Sequence, residues 1–265
     1  MSLSLPKPFY QDDFVTIYNA DCRDVLPALE DRAIGVTITD PPYESEAHTK
    51  QVNLSDHLAS KKTTRIEQTD LAFAPITPEL RDFVAKQVAR VTQRWSLTFC
   101  QAEALHLWRD AYQRYGHRYI RTGIWIKLGA QPQTTGDRPA QGFEPFVIHH
   151  QPQRPRWNGG GKSAIYSHAV NKARKKTDHK TKKPLDLMKE LVALYTDRDE
   201  LILDCFAGSG QTGIAAKLLQ RRCILIEQDL QWCTRMAVEL TKTHPTMGLI
   251  DFRAIRKSQQ RMEVA

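Results

Sequence analysis

Residues 201–213, LILDCFAGSGQTG, restrict the fold more than any other segment of the chain. An apolar run ends in a carboxylate, Asp204, then passes through a turn holding Gly208 and Gly210 into a helix-compatible stretch, Gly210 to Leu219. A strand that feeds a helix through a glycine turn is the first half of a βαβ unit, and the run from Cys223 to Glu227 supplies the second strand. The turn needs glycine because it must bend where side chains clash, and the free N–H groups at the helix start favour an anionic or polar ligand group.

Gly208, Gly210 and Gly213 also satisfy G-x-G-x-x-G, and Glu227 lies 19 residues after Gly208, so a dinucleotide fits the local pattern. Asp204 tilts the balance, because a pyrophosphate gains nothing from a carboxylate four residues before the turn. S-adenosylmethionine, with a cationic ammonium and sulfonium and with ribose hydroxyls for Glu227 to accept, suits the site better. The structural alternative is that Asp204 and Glu227 merely cap strand ends.

A second strand, Ala33 to Thr39, stops at TITDPPYES, residues 37–45, with groups that cannot extend it. Asp40, the rigid Pro41-Pro42 backbone and the Tyr43 ring would then stand at a sheet edge, proline fixing the direction of its carbonyl.

The remaining pattern predicts strands over residues 13–19, 96–100, 119–127 and 143–149, and helices over 22–29, 77–94, 102–115, 184–195 and 230–240, with a last strand near 249–254. Thr77-Pro78 is a helix start, cap followed by proline. The order implies one α/β domain, residues 1–265, with a doubly wound and mostly parallel sheet. Two stretches interrupt it. Residues 44–75 lack periodicity and read as a mobile loop facing a target; residues 129–180 read as an inserted, basic recognition region. Within residues 162–183 eight Lys/Arg stand against one Asp, and they carry most of the net charge of +8. Such a run suits a polyanion, although a solvated loop is the simpler explanation. Gly159-Gly160-Gly161-Lys162-Ser163 imitates the end of a phosphate loop, but Arg156 occupies the first glycine position and no apolar strand precedes it.

No run of 18 apolar residues and no signal-peptide pattern is present, so an intracellular, cytoplasmic protein without a membrane partner is expected. Five single cysteines without zinc spacing argue for reduced thiols and no metal.

With both motifs in hand, the chain resembles the DNA amino-methyltransferases of the permuted, beta type, in which D-P-P-Y (Asp40 to Tyr43) precedes F-x-G-x-G (Phe206 to Gly210). His179-Lys180-Thr181-Lys182-Lys183-Pro184 is similar to the family's H-P-T-E-K-P, with Lys180 and Lys182 departing from it, and Cys205 replaces a common proline. Trp125-Ile126-Lys127 and Gly142-Phe143-Glu144 also look like this group. The resemblance implies a class I methyltransferase fold, with S-adenosylmethionine bound by Asp21, Thr181, Lys183, Asp204, Phe206, Ala207, Gly208, Ser209, Gly210, Thr212, Glu227 and Gln228. It implies Asp40, Pro41, Pro42 and Tyr43 as the catalytic turn, which would hold the amine of a base flipped from double-stranded DNA. Lys50, Lys61, Lys62, Arg65, Arg156, Lys162, Lys172, Arg174, Lys175 and Lys176 would meet phosphates. An Asp at the first motif position is more like adenine N6 than cytosine N4, and dimers are common in the group. A non-catalytic DNA-binding protein on the same scaffold, whose expected mark is loss of Asp40, Tyr43 or the glycines, and a dehydrogenase, which leaves the D-P-P-Y turn and the basic insertion without a role, are the rivals.

Overall fold

The computed structural model describes residues 4–44, 75–130, 132, 136–171 and 182–245. Its frame is a nine-stranded sheet: β1 (Tyr10–Gln11), β2 (Val15–Asn19), β3 (Val36–Thr39), β4 (Trp95–Phe99), β5 (Arg118–Leu128), β6 (Phe143–His150), β7 (Ile165–Ala169), β8 (Leu201–Asp204) and β9 (Arg222–Glu227). In space the order is β1-β2-β9-β8-β3-β4-β6-β5-β7. The run β2, β9, β8, β3, β4 is parallel, and antiparallel β6 turns the sheet before β5 and β7 resume its direction.

Among the described residues six helices cover the two faces: α1 (Cys22–Val25), α2 (Pro78–Val91), α3 (Leu105–Arg114), α4 (Leu185–Tyr195), α5 (Gln211–Leu218) and α6 (Leu230–Lys242). Strand alternation sends Val15, Ile17, Val36, Ile38 and Leu225 into one core with Leu191, Ile214 and Met236, and sends Tyr18, Leu203 and Ile226 into the other with Val25, Val88 and Trp108. All four residues of β3 are buried because strands flank it on both sides and helices cover it above and below. Thr77 caps α2 by accepting from Leu80 N–H at 3.2 Å, with Pro78 in the first turn, as the sequence predicts.

β3 and β8 are parallel neighbours, yet the chain leaves β3 through α2 towards β4 and leaves β8 through α5 towards β9. Connections that depart in opposite directions open a crevice at the strands' C-terminal ends. Asp40 and Asp204 stand there.

Three differences from the sequence reading have local causes. Asp12 Oδ1 accepts from Phe14 N–H (2.9 Å) and Val15 N–H (2.7 Å), which makes residues 12–14 a turn between β1 and β2, so the strand expected from residue 13 starts at Val15. The predicted helix over 22–29 is one α turn followed by a 3-10 turn at Leu26–Ala28, where Pro27 lies. β7 lies inside the stretch read as a basic insertion, held by Tyr166, which is fully buried against Phe146 and bonds Tyr195 through its hydroxyl at 3.0 Å. The expected loop over 44–75 and the strand near 249–254 lie almost wholly outside the described residues. All five cysteines are free and buried. Among the described residues no helix is long and apolar enough to cross a membrane, and no cluster of metal-ligating side chains occurs.

Candidate active site

The crevice is a cavity of about 670 Å3. One wall is the glycine turn. Gly208 and Gly210 adopt φ of 50° and 75°, and a Cβ on Gly210 would lie 2.6 Å from Met236 Cγ, so both conformation and space demand glycine there. Asp204 sits beneath the turn, accepting from Thr39 Oγ1 (2.8 Å), Thr212 Oγ1 (2.6 Å) and Phe206 N–H (3.1 Å). Burial pushes its pKa up to about 6, with the two hydroxyls and the amide pulling against that rise. Asp204 and Thr212 therefore brace the turn from inside.

The side chains at the ends of neighbouring strands form the next wall. Glu227 accepts from Gly208 N–H (2.8 Å) and Asp229 N–H (2.9 Å), and burial raises its pKa. Asp21 caps α1 through Arg23 N–H at 2.8 Å and pairs with the Arg23 guanidinium, which holds its carboxyl below the usual range. Gln211, at the start of α5, lines the cavity with its buried Nε2 lacking an acceptor among the described residues.

Opposite stands the D-P-P-Y turn. Asp40 Oδ2 is held by Lys183 Nζ, and Asp40 Oδ1 is buried without a donor among the described residues. Lys183 also lies 2.7 Å from Glu144 Oε1 and sits over the Phe99 ring at 4.9 Å. Glu144 accepts from the Tyr43 hydroxyl, and its other oxygen is 2.8 Å from Lys127 Nζ. Burial would raise the Glu144 pKa, but Lys183 and Lys127 overcome it and hold the carboxyl at about 2. Lys183 is the mirror case: burial lowers its pKa, while Asp40 and Glu144 bring the net shift upward. For Asp40 burial prevails, and its pKa is raised despite Lys183.

The cavity thus joins most of the residues singled out from sequence: Asp40 to Tyr43, Asp21, Lys183, Asp204, Phe206 to Ser209, Thr212, Glu227 and Gln228. Gly210 shapes the turn from behind. Thr181, Lys50, Lys61, Lys62, Arg65, Lys172, Arg174, Lys175 and Lys176 lie outside the described residues. Two of the basic residues stand apart from the cavity. Arg156 pairs with Asp197 and gives its carbonyl to Trp95 Nε1 at 2.7 Å, beside the N-terminal ends of β4 and β8. Lys162 lies 3.3 Å from the buried carboxylate of Glu190 and 5.0 Å from the Tyr166 ring centroid.

Phe99, Gln211 and Trp232 also line the cavity and were not among the residues chosen from sequence, while Trp125, Lys127 and Glu144 were noted there only in segments that look like the family's, without a site role. Glu144 carried a usable signal, a lone carboxylate in the apolar strand FEPFVI. The pairing of Lys127 with it depends on β5 and β6 being antiparallel neighbours, which no local pattern announces.

A family model described as a DNA methylase matches residues 34–239. The chain is 52% identical to type II methyltransferase M2.MboI of Moraxella bovis, but over 54 residues only, 20% of either protein. It is 21% identical to M1.MboII of the same organism over 250 residues, covering 82% of this chain and 92% of that one. Among solved structures, the M1.HpyAVI–SAM complex superposes with a TM-score of 0.62 at 22% identity, covering 85% of this chain and 98% of that one. The PvuII cytosine-N4-specific DNA methyltransferase reaches 0.67 at 14% identity, covering 87% and 88%.

Proposed function

Because the chain belongs to the N6/N4 family of DNA methylases, we propose that it moves a methyl group from S-adenosylmethionine to the exocyclic amine of a base flipped out of double-stranded DNA, adenine N6 in preference to cytosine N4. One observation carries this reading: Asp40 lines the cavity with one oxygen held by a buried lysine and the other, Oδ1, buried without a donor among the described residues. A carboxylate fixed in this way is an acceptor for an amine hydrogen.

The residues present fit the cofactor. The unpartnered Gln211 Nε2 is a donor for its carboxylate, Glu227 and Asp21 are acceptors for its hydroxyls and adenine amine, and Gly210 lets the turn bend close against Met236 behind it. When bound, S-adenosylmethionine supplies the methyl group on a sulfonium. Asp40 and the Pro41 carbonyl accept the two amine hydrogens of the base, which directs the nitrogen lone pair out of the ring plane. Tyr43, its hydroxyl anchored on Glu144, offers a stacking face worth about 1–3 kcal/mol. Lys50, Lys61, Lys62, Arg65, Lys172, Arg174, Lys175 and Lys176 would bind phosphates and make affinity depend on salt.

Adenine is favoured by the aspartate that opens D-P-P-Y. Cytosine N4 is the second reading, supported by the fold shared with PvuII methyltransferase. Mass spectrometry of nucleosides from DNA of cells expressing the protein tests both, with Asp40→Ala as control. N6-methyladenine that disappears in the variant is expected. N4-methylcytosine would overturn the base assignment, and neither product would overturn the reaction. Equilibrium binding should favour S-adenosylmethionine over NAD; the reverse would sink the cofactor assignment.

A further inference from the structure

Glu144 occupies the second position of β6, within the apolar run FEPFVI, at 7% exposure. Carboxylates are buried to this degree only when paired. Both its oxygens are engaged: Oε1 by the Tyr43 hydroxyl and Lys183, and Oε2 by Lys127 at 2.8 Å. Lys183 in turn holds Asp40. Two carboxylates and two ammonium groups balance, with Lys183 shared between the carboxylates. Since protein donors already engage both Glu144 oxygens, its influence on a base runs through its neighbours.

The geometry points to Glu144 as the positioning residue of the D-P-P-Y turn: it fixes the Tyr43 ring through its hydroxyl and fixes Asp40 through Lys183, from a strand outside both sequence motifs. This role rests on the methyl transfer proposed above. Asp40 and Tyr43 are the first and last residues of one turn, and a single carboxylate grips both ends. Without it, the Tyr43 hydroxyl loses its acceptor and Lys183 loses one of its two counter-charges. Asp40 is then left to neutralise that lysine alone, which weakens it as an acceptor for the amine. A carboxylate that served only to balance charge during folding would affect stability and leave the two motif residues independent of it.

The test compares single-turnover methyl transfer, at saturating S-adenosylmethionine and DNA, in wild type, Glu144→Gln, Glu144→Asp, Tyr43→Phe and the Glu144→Gln/Tyr43→Phe double variant. Equilibrium binding of S-adenosylmethionine is measured alongside. So is the fluorescence of 2-aminopurine placed at the methylated position, which reads base stacking without chemistry. Glu144→Gln is expected to slow transfer about 100-fold, with cofactor binding within threefold of wild type and a changed 2-aminopurine signal. Glu144→Asp, which keeps the charge, should recover at least tenfold of the loss. Tyr43→Phe should cost less in the Glu144→Gln background than alone, because the shared contact is already gone. A Glu144→Gln protein at wild-type rate would overturn the role of Glu144. So would a loss matched in cofactor binding and not recovered by Asp. A wild-type protein that transfers no methyl group to DNA would instead overturn the proposed function itself.

Discussion

The Thr39 hydroxyl donates to Asp204 Oδ1 across 2.8 Å, joining the last residue of β3 to the last residue of β8. The D-P-P-Y turn begins at the next residue on one strand and the glycine turn on the other. Replacing Thr39 by Val keeps the shape and removes the donor, leaving Asp204 Oδ1, among the described residues, with the Phe206 N–H at 3.1 Å. Urea unfolding at neutral pH should show a loss of about 1–3 kcal/mol, the range for a buried polar group deprived of its partner. S-adenosylmethionine affinity should fall with it; unchanged stability and affinity would mean that the bond does not couple the two turns.

Asp204 makes a distinct pH prediction. Its folded pKa, about 6, lies above the unfolded value of 3.8, so the native state binds the extra proton. The associated stability is present below the unfolded value and is lost as pH rises through about 6. At about 1.4 kcal/mol per pKa unit, the loss is on the order of 3 kcal/mol. Asp204→Asn cannot titrate, so its stability relative to wild type should rise by roughly that amount between acid and neutral pH. Denaturant curves at several pH values measure the difference; parallel pH profiles would disprove the buried ionisation.

His149 acts with the opposite sign. It is fully buried between Tyr112 and Tyr119, at ring separations of 4.7 and 5.6 Å, and burial lowers its pKa to about 4. Its depressed folded value gives stability that is present above the unfolded pKa of 6.5 and lost as pH falls through about 4. A variant with Phe at this position should be markedly less sensitive to acid, by up to roughly 3 kcal/mol, while His117, lowered to about 3 by burial, keeps part of the acid response. Equal acid sensitivity in wild type and His149→Phe would refute this.

Gly210→Ala should weaken cofactor binding even where the protein still folds. The added methyl meets Met236, and an L-residue at φ of 75° costs about 1–2 kcal/mol regardless of space. Shortening Met236 to Ala should therefore restore only part of the loss in Gly210→Ala, as read by isothermal titration with S-adenosylmethionine. Complete recovery would show that sterics alone demanded glycine.

Both motifs were legible because their chemistry is local: a carboxylate before two prolines, and a strand followed by a glycine bend. The parallel core was equally plain, since the apolar runs of β3 and β8 and the Thr77 cap are written in adjacent residues. What stayed hidden depends on which strands meet. Lys183 was read as a site residue, but its pairing with Glu144, and that of Glu144 with Lys127, depends on the antiparallel insertion of β6 beside β5. β7 was concealed by its setting, because Ile165 and Tyr166 stand among lysines that set the character of the segment. Asp204 illustrates the converse. Its importance was readable, but the direction of its hydrogen bonds, inward to Thr39 and Thr212, was not.

Ile76 N–H donates to the Tyr43 carbonyl at 3.2 Å, tying together the chain on either side of residues 45–74. Asn171 does the same for the other interruption, donating to the carbonyls of Lys182 (3.1 Å) and Lys183 (3.0 Å). Each clasp closes a ring, and loop-closure entropy grows only slowly with length. The chain is thus fixed on either side of residues 45–74 and 172–181, so a change of length between those points should cost the domain little stability.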